Sequence, residues 1–158
     1  MTNMHEAIDW LYATPVSAAI RDTSWIVPTV QAIHICAIAV VVGSALVTEL
    51  RIAGVIAPDE SLSVVAQRYV PWMWRALGVL LATGLVMVVG EPERVLANSV
   101  FWLKMILVST GVLLSVYLRR PLLRPVGQPP EPAKALAWIL LALWIGVIFS
   151  GRWIAYTS

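Results

Sequence analysis

The stretch WIVPTVQAIHICAIAVVVGSALVTEL, Trp25 to Leu50, decides the fold. A run this long and this apolar has no place on a soluble surface. A membrane-spanning helix needs about 20 mainly apolar residues, and this one exceeds that. Three more runs meet the same test, about 72–90, 99–118 and 134–156. The composition agrees: 59% of the 158 residues are hydrophobic and the mean hydropathy is +0.82. The reading is an all-α, integral membrane four-helix bundle forming a single domain over 1–158. Tryptophans stand near the ends of the runs (Trp25, Trp72, Trp74, Trp102 and Trp153), where an aromatic belt meets the headgroups.

Ahead of the first span, residues 3–21 are expected to lie in the interface. Asn3 with Glu6 resembles a helix cap, and Met4, Ile8 and Leu11 share one face. Thr14-Pro15 has the form of a cap followed by proline at the first helical position. The first ten residues hold Glu6 and Asp9 and no basic run, so they do not read as a cleaved signal peptide. Between the first two spans, Pro58-Asp59 predicts a turn, and Ser61 caps a short helix expected to end before Pro71. Five prolines between Arg119 and Pro132 predict an extended loop.

Charge sets the expected orientation. Arg51, Arg68 and Arg75 surround the first connection, and Arg119, Arg120, Arg124 and Lys134 surround the third. The second connection holds only Arg94, beside Glu91 and Glu93. By the positive-inside rule, the two basic connections face the cytoplasm. In a bacterium this makes a multi-pass inner-membrane protein with both termini periplasmic. The net charge of +2 does not indicate nucleic acid, because the cations flank spans and form no soluble patch. One cysteine, Cys36, excludes an internal disulfide or a CxxC zinc site and reads as packing.

Three polar residues interrupt the apolar runs: His34, Lys104 and Arg152. At a helix rise of about 1.5 Å per residue, all three fall in the outer half of the bilayer, roughly 6–10 Å from its centre. Each has an ordinary explanation. A buried histidine is satisfied by Gln31 or a carbonyl, Lys104 snorkels, and Arg152 anchors a helix end. Their conjunction is harder to explain so. A charge near the centre of a span costs about 2.5–3.5 kcal/mol on insertion scales, and no acidic residue lies in the outer half of any span. Glu91, Glu93 and Asp22 would have to reach in from the rim, or a bound anion would have to serve. His34 shares a face with Ile38, Val41 and Ala45, and Lys104 with Val108, Gly111 and Ser115, so both are expected to face the interior. At that depth the second span offers Thr83, Gly84 and Met87. Glu49 and Arg51 at the end of the first span, with Arg68 and Arg75 at the start of the second, read as anchoring or ion pairing.

Two segments carry a resemblance: VQAIHICAIAVVVGSALVTELRIAG (Val30–Gly54) and NSVFWLKMILVSTGVLLSVYLRR (Asn98–Arg120). A histidine early in the first span and a lysine early in the third resemble the bacterial membrane-bound protoporphyrinogen oxidase group, and more loosely the copper-resistance D membrane domain. With SGRWIAY near its end, the whole chain looks closer to an uncharacterised bacterial four-span family. The oxidase resemblance implies haem b and functional importance for His34 and Lys104, as catalytic and cofactor-binding residues. It departs where that family has further histidines and this chain has Arg51 and Tyr117. In this reading His34 is the metal ligand, Met87 or Met105 the second axial ligand, and Lys104 and Arg152 the holders of propionates. Imidazole and thioether both ligate haem iron. A membrane or periplasmic redox partner would then supply electrons, and a site shared between two copies stays open. Two other function classes compete. Copper handling would use Met1, Met4, His5 and Met87, soft and imidazole donors suited to Cu(I). A non-catalytic membrane anchor would bind a partner through its N-terminal segment and proline loop.

Overall fold

In a computed structural model, the backbone is described over residues 2–57, 59–122 and 131–157, and side chains are described except at 1–4, 58, 118–130, 152 and 154–158. The described chain is helical: α1 (Thr2–Tyr12), α2 (Pro15–Asp22), α3 (Ile26–Ile52), α4 (Leu62–Gly90), α5 (Pro92–Leu96), α6 (Ser99–Leu122) and α7 (Glu131–Thr157). Four of these, α3, α4, α6 and α7, are long and apolar enough to cross a membrane. At 27 residues, α3 is about 40 Å long, more than a hydrocarbon core of about 30 Å requires. Leu81, Leu85, Leu113, Ile145 and Phe149 are exposed on the outside of the bundle, as lipid-facing side chains are.

The four spans pack as two antiparallel pairs, α3 with α4 and α6 with α7. Helix α7 also packs against α3, whereas α4 meets α6 only thinly. Val41, Ala45, Met73, Ala76, Trp144 and Val147 form the central core. Without a hydrophobic driving force between helices in lipid, small residues are what let the backbones close up. Gly111 shows this at the α6–α7 seam, where a β-carbon would meet Leu143 Cδ2 at 2.8 Å and the Trp144 ring at 3.4 Å.

One end of the bundle carries a cap made of α1, α2 and α5. Thr14 accepts the Ser17 N–H at 3.3 Å, as the Thr-Pro pattern predicts. Ile20 seats against Gly90, where a β-carbon would lie 2.8 Å from its Cγ2, so α2 docks on the end of α4. Arg21 ties the cap together. It donates to Ser17 Oγ and to the Tyr12 carbonyl and lies 3.6 Å above the Tyr12 ring. At the other end α3 stops at Gly54, whose φ of +78° permits a Schellman cap: Val55 N–H reaches Leu50 O at 2.9 Å and Gly54 N–H reaches Arg51 O at 3.1 Å.

Several local expectations are corrected. Asn3 lies inside α1 and does not cap it. Ser61 does cap its helix, accepting from Val64 N–H at 3.4 Å, but that helix does not end before Pro71. It continues through the proline into the span, as membrane helices can when neighbouring groups re-satisfy the freed carbonyl. The extended loop expected from Arg119 starts later, because α6 runs on to Leu122 and α7 already begins at Glu131. Arginine and leucine favour helix and carry the span past the apolar run. The remainder of that loop, 123–130, lies outside the described residues, as does half of the Pro58-Asp59 turn. Helix α5 was not anticipated. Cys36 is exposed and not packed.

Candidate functional site

His34 on α3 reaches across the tightest helix pair to Thr83 on α4. Its Nδ1 lies 2.7 Å from Thr83 Oγ1. The threonine hydroxyl is also 2.7 Å from the Val79 carbonyl and 3.2 Å from that of Leu80. A hydroxyl has one proton to give, and a carbonyl can only accept it. With that proton spent on the backbone, Oγ1 is left as an acceptor, and the bond requires Nδ1 to carry hydrogen. In the neutral imidazole, Nε2 then bears a lone pair. The pattern assigns the tautomer: His34 is held by one nitrogen and offers the other. Gly84 follows Thr83 on α4, and a β-carbon there would stand 3.8 Å from His34 Cε1. The glycine thus leaves the edge of the ring uncrowded.

Lys104 on α6 belongs to the same layer. Its side chain is half-buried and crosses Gly151 on α7, where a β-carbon would lie 3.4 Å from Nζ and 3.7 Å from Cε. It therefore lies in the α6–α7 interface. The rim carboxylates do not meet it. Glu91 pairs with Arg94 at 3.0 Å, while Asp22 and Glu93 are exposed. Among the described residues Lys104 has no ion pair.

The other predicted positions divide. Met87 is half-buried one helical turn beyond Thr83, on the face that carries it. Met105 is more exposed, at 39%. Gln31 is exposed, and Thr83 takes the partner role expected of it. The side chain of Arg152 lies outside the described residues, as do those of Met1 and Met4. His5 is exposed on α1. Among the described residues no group of three or more His, Cys, Asp or Glu side chains converges.

At the uncapped end the basic residues make local contacts. Arg51 donates from Nε to the Glu60 carbonyl at 3.0 Å. Arg68 pairs with Glu60 at 3.6 Å, and Arg75 lies over the Trp72 ring at 5.3 Å. Sequence reasoning missed Gly151 as the residue that makes room for Lys104. It set Thr83 at the right depth without seeing the bond. The usable signal was a threonine and a glycine at the depth of the buried imidazole and ammonium.

No curated protein and no solved structure matches the chain. The likeness to the oxidase and copper-resistance groups therefore rests on the two quoted segments alone. A family model does match, over residues 21–157, and is described as a family of unknown function, DUF6644. The match covers all four spans and both residues of the polar layer, and the chain belongs to this family.

Proposed function

We propose that this chain is a small inner-membrane protein that binds a b-type haem or related porphyrin in the capped half of its bundle, for redox chemistry. The observation that supports it is the 2.7 Å contact between His34 Nδ1 and Thr83 Oγ1, a hydroxyl that also meets the Val79 carbonyl. With Thr83 on Nδ1, Nε2 is left with a lone pair by which His34 would hold a haem iron. This is the usual device by which a hydrogen bond on one imidazole nitrogen orients the other towards a metal. The ammonium of Lys104, with no carboxylate among the described residues, suits an anionic group such as a propionate. Met87, half-buried one turn beyond Thr83, would be a second residue to hold the iron. Haem, when bound, supplies one-electron chemistry. The protein's part is to orient the imidazole, neutralise the carboxylates and exclude water with the surrounding aliphatic side chains.

Orientation is part of this reading. The uncapped end carries Arg51, Arg68, Arg75 and Lys134, so by the positive-inside rule the capped end is periplasmic, and so is the haem site.

An absorption spectrum of protein purified from haem-replete cells tests the proposal. A Soret band that disappears in His34→Ala, and weakens in Lys104→Met, is expected. Colourless protein, or a band indifferent to His34, overturns it. Metal analysis of the same sample separates iron from copper, the metal expected if the chain instead handles copper.

A further inference from the structure

The half of the bundle away from the cap holds a second set of buried polar groups that the haem reading does not use. Ser115 on α6 is fully buried and Trp144 on α7 is 3% exposed. Neither Ser115 Oγ nor Trp144 Nε1 has a hydrogen-bond partner among the described residues. Both belong to the closely packed α6–α7 seam. The Trp144 ring rests on Gly111, with Cε2 3.6 Å from the position of a glycine β-carbon. Nε1 is bonded to Cε2, so the N–H edge of the indole runs along α6. Ser115 is one helical turn further on the same face, about 5–6 Å away between β-carbons.

A third polar group borders this region. Glu49 on α3 is fully buried and has an interaction of its own. It lies between Ala45, which packs in the cluster of Trp144, and Ile52, which packs with Ala137 and Leu140. The carboxylate therefore lies at the level of α7 that runs from Leu140 to Trp144, the level of Ser115. An indole N–H donor and a hydroxyl, both buried, are costly if nothing meets them. In native proteins such pairs are met by ordered water. Both orphaned groups lie along the same stretch of the α6–α7 seam, within one helical turn of Gly111.

The geometry points to an internal water site, in which Ser115 Oγ and Trp144 Nε1 together hold one or two water molecules beside the Glu49 layer. Trp144 donates to the water, and Ser115 both donates and accepts. The bundle then has two polar layers at different depths. The His34 layer offers a lone pair and a cation, and the Ser115 layer offers hydrogen-bonding groups to solvent-sized molecules. The aliphatic and thioether packing of Val41, Ala45 and Met73 separates them.

The test is nuclear magnetic resonance on protein labelled with nitrogen-15 at the tryptophan indoles, in lipid nanodiscs. The Trp144 signal is assigned by its loss in Trp144→Phe or, if that variant does not fold, by its movement in Ser115→Ala. Magnetisation transfer between water and the Trp144 indole proton, lost or strongly reduced in Ser115→Ala, is expected. An indole proton that contacts only aliphatic protons overturns the site. Thermal unfolding gives an independent readout. Deleting a hydroxyl that holds water lowers the midpoint, whereas deleting one that meets nothing raises it, so a higher midpoint for Ser115→Ala contradicts the proposal.

Discussion

The α3–α4 pair and the α6–α7 pair each carry one polar side chain into the capped half of the bundle, and they treat it in opposite ways. Helix α4 gives His34 a bond: Thr83 fixes Nδ1 at 2.7 Å, and the ring can present its other nitrogen in only one manner. Helix α7 gives Lys104 only space. Gly151 makes way for the ammonium, and no described residue pairs with it. One pair holds its polar side chain by a hydrogen bond, the other leaves its cation without a partner among the described residues. Under the proposal above, this asymmetry suits a ligand that takes a lone pair from His34 and brings a negative charge to Lys104.

Variants that disturb one pair and spare the other sharpen this contrast. The largest effect is expected from Gly111→Val, which drives a branched side chain into Leu143 and the Trp144 ring. Overpacking of this kind costs about 1–3 kcal/mol, and denaturant unfolding in detergent should show it while the His34–Thr83 bond survives. A Gly111→Val protein as stable as the parent would mean that the α6–α7 seam is looser than described.

Lys104→Met comes next and runs the other way. If the ammonium is a functional charge without a partner, its removal relieves part of the insertion cost, and the apoprotein should gain about 1–2 kcal/mol. Destabilisation by the same change would reveal a structural partner for Lys104 and would remove the contrast between the pairs. A smaller loss is expected from Thr83→Val, which preserves shape and deletes one hydrogen bond. Such bonds between membrane helices average about 0.6 kcal/mol, so the effect on stability is slight, while the orientation of His34 is lost. The change should weaken any axial ligation well beyond its effect on unfolding. Gly84→Ala is the mildest, since its methyl makes only an ordinary 3.8 Å contact with His34. A shift within about 0.5 kcal/mol is expected, and a large one would show the site to be tighter than its geometry.

The architecture was readable because lipid simplifies the rules. Backbone groups in hydrocarbon must satisfy themselves, so a long apolar run can only be a helix or part of a barrel, and all four spans followed. Caps at Thr14 and Ser61 were legible because a side-chain oxygen before a helix has a local job. Pro71 misled for a related reason. Its cost in water suggests a break, whereas a membrane helix continues through it. That His34 and Lys104 fall in the capped half of the bundle was legible from position alone, because helix rise converts position into height. What depth could not say is which neighbour meets which group. Thr83 and Gly151 lie on helices far away in sequence, and only the rotation of each helix about its axis brings them opposite His34 and Lys104. The Ser115–Trp144 pair was invisible as a site, since neither residue is unusual until burial removes its partners.

The account rests on His34 presenting an unprotonated Nε2, and nitrogen-15 spectroscopy of histidine-labelled protein measures this directly. With only two histidines in the chain, His5→Gln leaves a single imidazole to observe. The account predicts a neutral ring with hydrogen on Nδ1 and a bare Nε2, and a Thr83→Val variant in which that preference is lost. A ring that carries its hydrogen on Nε2, unchanged by the loss of Thr83, would contradict it.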